Sequence, residues 1–299
     1  MKKKLTAMVL ALGAMFGACA DTEFANGYTW NYRIRDGKEA ILYAYSPNSD
    51  RPSAISPSPT GHVTVPSYLG GKPLVEIGGD SFLKCGGLTG VTIPSSVRSI
   101  GDSAFGLCTG LVSVTIPSSV TNIGVGAFIE TGLRHVVVPD SVTSIGGSAF
   151  GACPNLESAE IGNGATMLPT HIFYNDEKLQ SVTIGRNVRS VDSWAFLNCS
   201  NLTSIAVSPE SPYLKSESGL LLTKDGKTLV VGVNMNGDVV VPNGVTNIAD
   251  MAFYHRHGCA DDSDERQDKR QDPRERQAVD AERGMVRRGA ARRGRLAPP

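Results

Sequence analysis

Residues Leu88–Gly110 read LTGVTIPSSVRSIGDSAFGLCTG, and at Leu111 the phrase begins again as LVSVTIPSSVTNIGVGAFIETG. It restarts at Leu133 (LRHVVVPDSVTSIGGSAFGACPN), at Leu156 (LESAEIGNGATMLPTHIFYNDEK), at Leu179 (LQSVTIGRNVRSVDSWAFLNCSN) and at Leu202. The period is 23 residues, and the copy from Leu111 is one residue short. A fixed period of this length is the mark of stacked repeats. Within one copy, Leu88, Val91 and Ile93 point inward and Thr92 alternates outward, the pattern of a short strand buried on one side. Pro94 cannot donate to a sheet ladder and turns the chain. Val97 and Ile100 give a second inward pair, Gly101-Asp102 turns again, and Ala104-Phe105 with Cys108 closes the coil. One coil cannot cover its own Leu, Val, Ile and Phe; stacked coils can. Equivalent strands then form a parallel sheet at about 4.8 Å spacing, and about eight coils make a body roughly 40 Å long.

Working outward, an incomplete copy runs from Val63 through Ile77-Gly78 and Phe82 to Cys85. The last copy is split: LTSIAVSPE from Leu202 is interrupted, and VVVPNGVTNIADMAF closes it at Phe253. Inside the insertion, at about residues 208–238, Gly219–Leu222 and Thr228–Val231 flank Lys224-Asp225-Gly226, which predicts a hairpin protruding from the coil. Tyr28–Ile34 and Glu39–Tyr45 flank Asp36-Gly37, a two-strand hairpin signal. With the Ser- and Pro-rich stretch that follows, it makes residues 21–60 an N-terminal cap and linker ahead of a solenoid over 61–257. Met167-Leu168-Pro169 breaks the pattern of its neighbours, so local irregularity is expected there.

Both ends of the chain differ from the repeats. Lys2, Lys3 and Lys4, the apolar run Leu5–Phe16 and the small residues Gly17-Ala18-Cys19-Ala20 form a signal peptide over 1–20, with Asp21 as mature start. The competing reading lipidates Cys19. The run is too short to span a bilayer. Residues 261–299 hold 11 Lys+Arg, 9 Asp+Glu and no strand pattern, which predicts a disordered charged tail over 258–299. Read one base later, codons for Ser263–Lys269 permit Leu-Thr-Ser-Val-Lys-Ile, a strand signature of the coil due at that place, so a shifted reading frame is a second account of the tail. The zero net charge of the chain, 29 Lys+Arg against 29 Asp+Glu, is therefore a sum of unlike pieces. The leader carries +3 and the tail +2, while residues 21–260 hold 15 Lys+Arg against 20 Asp+Glu. A mildly acidic, sparsely charged body argues against nucleic acid as a partner.

The LxxVxIPxxVxxIGxxAFxxC pattern, over about residues 61–254, resembles the leucine-rich repeats of the BspA-like family of bacterial surface and secreted proteins. The resemblance implies a mainly β solenoid of about eight coils with a parallel sheet, short helical turns, an N-terminal hairpin cap and a hairpin insertion. Pro or Gly after the strand, in place of the Asn or Cys of commoner leucine-rich repeats, departs from a regular horseshoe with a helix on every convex turn. The resemblance also implies an exported, non-enzymatic module that binds an extracellular protein or matrix component, in adhesion at the cell surface. The alternative is a structural repeat module without a specific ligand, from an expanded or damaged gene family.

The residues themselves offer little chemistry. No GxSxG, HExxH or GxxxxGK[ST] occurs, so no catalytic residue and no cofactor is assigned. His255-Arg256-His257 is the one close imidazole pair, too few ligands for a metal site. Cys85, Cys108, Cys153 and Cys199 recur at one coil position. They read as small buried hydrophobes in a ladder, though Cys85 and Cys108 fall within disulfide reach across neighbouring coils. What remains is the outward sheet face, where Thr89, Thr92, Thr115, Arg134, His135, Glu157, Glu160, Gln180, Thr183 and Thr203 are the candidate partner-binding residues.

Overall fold

The structure, a computed structural model, describes residues 21–44, 53–233 and 240–253. The leader with Cys19, the expected tail and His255-Arg256-His257 lie outside the described residues. The repeats wind into a β-solenoid of about eight turns. Its first face is built in two parallel panels. Gly61–Thr64, Leu88–Thr92 and Ser113–Val114 form one; His135–Val138, Ser158–Ile161, Ser181–Ile184 and Ser204–Val207 form the other. On the second face Lys72–Ile77, Ser99–Ile100, Asn122–Ile123 and Ser144–Ile145 run parallel in register, followed by a separate pair, Met167–Leu168 with Ser190–Val191.

Both interruptions have a local cause. In most coils the strand-opening Leu donates its N–H to the carbonyl three residues back, as Leu88 to Cys85 at 3.0 Å, Leu111 to Cys108 at 2.9 Å and Leu156 to Cys153 at 3.1 Å. The short copy lacks one residue between Thr131 and Leu133, and the first ladder stops there. On the second face, Gly101, Gly124 and Gly146 donate to Ile77, Ile100 and Ile123 of the coil before, at 2.7–2.8 Å. Pro169 occupies the next equivalent position and has no N–H to give, so Met167–Leu168 loses its tie to Ser144–Ile145. The glycines are required for a second reason. A Cβ on Gly101 would stand 2.5 Å from the Gly79 nitrogen, and one on Gly124 2.5 Å from the Asp102 nitrogen.

The short helical turns expected on the third side are not there: none of the described residues is helical. Asp80, Ser103, Gly126, Ser148 and His171, and four residues after each Lys84, Leu107, Glu130, Ala152 and Asn175, have φ between 50° and 60°. A left-handed residue every fourth position stops a right-handed helix from propagating. The turns instead bond to the next coil. Phe82 N–H donates to Ala104 O at 2.7 Å, Phe105 to Ala127 and Phe128 to Ala149 at 2.8 Å, and the positions two residues either side repeat the link, as in Ser103 to Val125 and Leu107 to Ile129.

A row of rings runs through the main core among the buried Leu, Val and Ile of the coils. Phe82, Phe105, Phe128, Phe150, Phe173 and Phe196 are fully buried and stacked, with centroids 4.9–6.1 Å apart and planes within 7–19° of parallel. Trp30, also fully buried, closes the row edge-on against Phe82 at 6.2 Å. It belongs to an antiparallel meander of Asp21–Ala25, Tyr28–Arg35 and Glu39–Leu42. Both turns of the meander have positive φ at two residues, Asn26-Gly27 and Asp36-Gly37; the first is a two-residue hairpin, and the second adds Lys38 because Arg35 pairs with Glu39. Glu39–Leu42 then pairs in parallel with Lys72–Ile77, so the meander continues the second ladder. Ile55–Ser56, inside the stretch read as linker, pairs with Thr29–Trp30. Arg35 bridges Glu39 at 2.8 Å and Glu76 at 3.0 Å.

At the other end the insertion does not protrude. Leu214–Glu217, Leu220–Thr223 and Thr228–Gly232 are antiparallel neighbours, and Asn247–Ile248 joins Thr228–Gly232 in parallel. Leu220, Leu221 and Leu222 are all buried, because the segment covers the last coil rather than standing off it.

Candidate binding surface

Strand alternation places the side chains of the first face. His135–Val138 alternates exposed and buried, and the strands at Ser158 and Ser181 repeat the alternation with a half-buried first residue. The register aligns His135, Ser158, Ser181 and Ser204 in one row and Val137, Glu160, Thr183 and Ala206 in the next. Upstream, His62, Gly90 and Ser113 continue the first row, with Thr64 beside Thr92 in the second. A third row, Thr89, Arg134, Glu157, Gln180 and Thr203 with Val112 among them, is tied coil to coil. Glu157 N–H donates to Arg134 O at 2.8 Å, Gln180 to Glu157 at 2.9 Å and Thr203 to Gln180 at 3.0 Å. All ten residues singled out from the sequence are exposed on this side, in two groups, because the interruption after Ser113–Val114 separates Thr89, Thr92 and Thr115 from the rest.

The face is polar and internally bonded. His135 Nδ1 shares a hydrogen bond with Ser158 Oγ at 2.7 Å, and its Nε2 lies 3.9 Å from Glu160 Oε1. His62, which sequence reading left unassigned, does the same in the first panel, with Nε2 2.7 Å from Thr92 Oγ1. It lies across Gly90, where a Cβ would come within 2.6 Å of its Nδ1. A depression of about 380 Å3 opens beside it, lined by Thr92, Ser113 and Thr115. The signal that would have found His62 is its alignment with His135 in the outward row.

The cysteine position lies on the opposite side of the strands, in the core. Cys85, Cys108, Cys153 and Cys199 are buried free thiols. Cys108 Sγ donates to Phe82 O at 3.0 Å, Cys153 to Phe128 O at 3.3 Å and Cys199 to Phe173 O at 2.9 Å. Burial pushes the Cys108 and Cys153 thiols up to about 12, so neither offers a thiolate near neutral pH. The two coils without cysteine carry Thr131 and Asp176 at this place, both buried. Asp176 Oδ1 accepts the Cys153 N–H at 2.7 Å, while Oδ2 has no partner. Burial raises its carboxyl well above the usual range. Among the described residues no three of His, Cys, Asp and Glu are placed to hold a metal ion.

The BspA type leucine rich repeat region matches in six copies across residues 75–211. These residues are thus similar to a BspA-type leucine-rich repeat region. The matched coils carry both ladders from Val75 on, and the cap and most of the split last copy lie outside the matched span. Among solved structures, the chain is similar to a T. pallidum leucine-rich repeat protein at 28% identity and TM-score 0.53, over 59% of this chain and 78% of that one. It is also similar to the pneumococcal vaccine antigen PcpA (18% identity, TM-score 0.59, over 79% and 62%) and to a leucine-rich repeat protein from Bacteroides ovatus (20%, 0.50, over 79% and 61%). Those two likenesses concern the fold, and the chain spans about three-fifths of their length. No curated protein matches the chain in sequence. No helix among the described residues is long and apolar enough to cross a membrane.

Proposed function

We propose that this is an exported, non-enzymatic binding module that captures an extracellular protein or matrix component on the first face of its solenoid. The observation that carries the reading is the exposed three-row array from His62 to Thr203, fixed in register by a continuous core beneath it. Arg134, His135, Glu157 and Glu160 mix both signs at its centre, which favours a polar partner surface of mixed charge. The family match and the leader-like N-terminus support export to the cell surface.

The test is capture of matrix proteins (collagen, laminin and fibronectin) by the immobilised full chain and by a variant carrying Thr92→Arg, Thr115→Arg and Thr183→Arg. Surface changes of this kind cost within about 0.5 kcal/mol of stability each, so the variant should melt like the parent and lose at least tenfold in affinity. The structural-module reading is favoured by one observation, that His62, His135 and Thr203 already spend hydrogen bonds on neighbouring coils. Absence of capture by the parent chain would leave that reading in place.

A further inference from the structure

The first face presents no Trp, Tyr or Phe in its outward rows; aromatic side chains gather on the turn side instead. At the position two residues before each spine Phe, successive coils carry Asp80, Ser103, Gly126 and Ser148, and then His171 and Trp194. Tyr174 follows the spine Phe of its coil, where the coil before has Gly151. The three rings are half-buried, and His171 lies against both of the others. His171 meets Tyr174 edge-on at 5.3 Å between centroids and 77°, and lies 6.1 Å from Trp194 at 41°. Four other coils satisfy the fold at this place with Asp, Ser or Gly, so packing does not demand large rings here. Half-exposed Trp and Tyr held in place by neighbours are what recognition sites use as anchors.

The surroundings decide the partner class. Three rings are far too small a patch for a protein interface, which covers about 800 Å2 on each side. The rim is made of neutral hydroxyl and amide groups with one carboxylate. Thr170 Oγ1 lies 3.3 Å from His171 Nδ1, Asn198 Nδ2 donates to Asn175 Oδ1 at 2.7 Å, and Asp192 Oδ1 accepts the backbone N–H of Trp194 at 2.9 Å. Ser148 and Gly151 keep the adjoining coil low. A flat apolar ring surface edged by hydroxyl, amide and carboxylate groups complements a sugar ring, whose C–H face is apolar and whose edge carries hydroxyls. We propose that Trp194, His171 and Tyr174 form a saccharide-binding site, in which a hexopyranose stacks on Trp194 and its hydroxyls bond to Asp192 and Thr170. The site is separate from the first face and stands or falls independently of it.

The chain has two tryptophans, and Trp30 is fully buried where the cap meets the first coil. Trp194 is therefore the reporter for a fluorescence titration of the full chain with N-acetylchitohexaose, cellohexaose and maltohexaose. The expected result is a saturable shift with at least one of them, retained in Trp30→Phe and in Thr92→Arg. Calorimetry with the same sugar should show at least tenfold weaker binding in Trp194→Ser and in Tyr174→Gly. His171→Ser and Tyr174→Gly copy Ser148 and Gly151 of the neighbouring coil, so they test the site even if Trp194→Ser fails to fold. No saturable shift with any of the three sugars, or undiminished affinity in Tyr174→Gly and His171→Ser, overturns the proposal.

Discussion

Asp176 stands where Cys85, Cys108, Cys153 and Cys199 stand in their own coils, and it is the one carboxyl among the fully buried side chains of the described core. Its unpartnered Oδ2 is costly as an anion, so the folded chain holds the proton that the unfolded chain releases above about pH 4. Folding therefore takes up a proton. The stability present at low pH falls as pH rises, by up to about 1.4 kcal/mol per unit, until the folded carboxyl itself ionises. Asp176→Cys, which completes the ladder, should raise the urea midpoint at pH 7 and flatten its decline between pH 5 and 8; an unchanged slope would count against a buried proton. Ser148 gives a second test at this scale. It sits at φ 55° where Gly126 occupies the same position two residues before its Phe. Ser148→Gly should stabilise by about 1 kcal/mol and Gly126→Ala should destabilise by a similar amount, read as shifts of the melting midpoint. Neither residue was legible in advance. Asp176 looks like a turn residue in a string of turn residues, and a left-handed serine or leucine carries no mark in the letters, which is why helical turns were expected there.

The elements were far more readable, because each is set by residues whose chemistry permits one role. Pro94 ends a strand, Gly101 lets one backbone lie on the next, and Pro169 removes a donor; the expected irregularity at Met167-Leu168-Pro169 falls where the second ladder parts. The ring row was legible only as a recurring Ala-Phe. That six rings stack and that Trp30 closes the row follows from coil height, which sequence does not state. Phe128→Ala, mid-row with rings on both sides, should cost about 3–5 kcal/mol, whereas an exposed ladder residue such as Thr183→Ala should stay within about 0.5 kcal/mol, compared by chemical denaturation. Gly101→Ala should also destabilise, by about 1–3 kcal/mol, since its new methyl meets backbone that cannot rotate away. The hairpin at Asp36-Gly37 was plain, but the equally strong Asn26-Gly27 was passed over, and with it the first strand of the cap.

For the whole molecule, period alone led to the solenoid, whereas no sequence rule names what it holds. The candidate face could be written down residue by residue from alternation, but its division into two panels comes from one missing residue between Thr131 and Leu133. The turn side has a wider consequence. Its coil-to-coil backbone bonds run one way, each N–H reaching forward to the carbonyl of the following coil, from Asp80 to Asp102 through Asn175 to Leu197. Peptide units aligned like this add their dipoles as they do along an α-helix. The turn side thus has a polarity of its own with no helix in it, positive toward Asn198, and the strand faces oppose it, since Gly101, Glu157 and Gln180 donate backward to Ile77, Arg134 and Glu157. Although its coils repeat, the sides of each coil are therefore electrically unlike, with peptide dipoles that point forward along the turns and backward beside the strands.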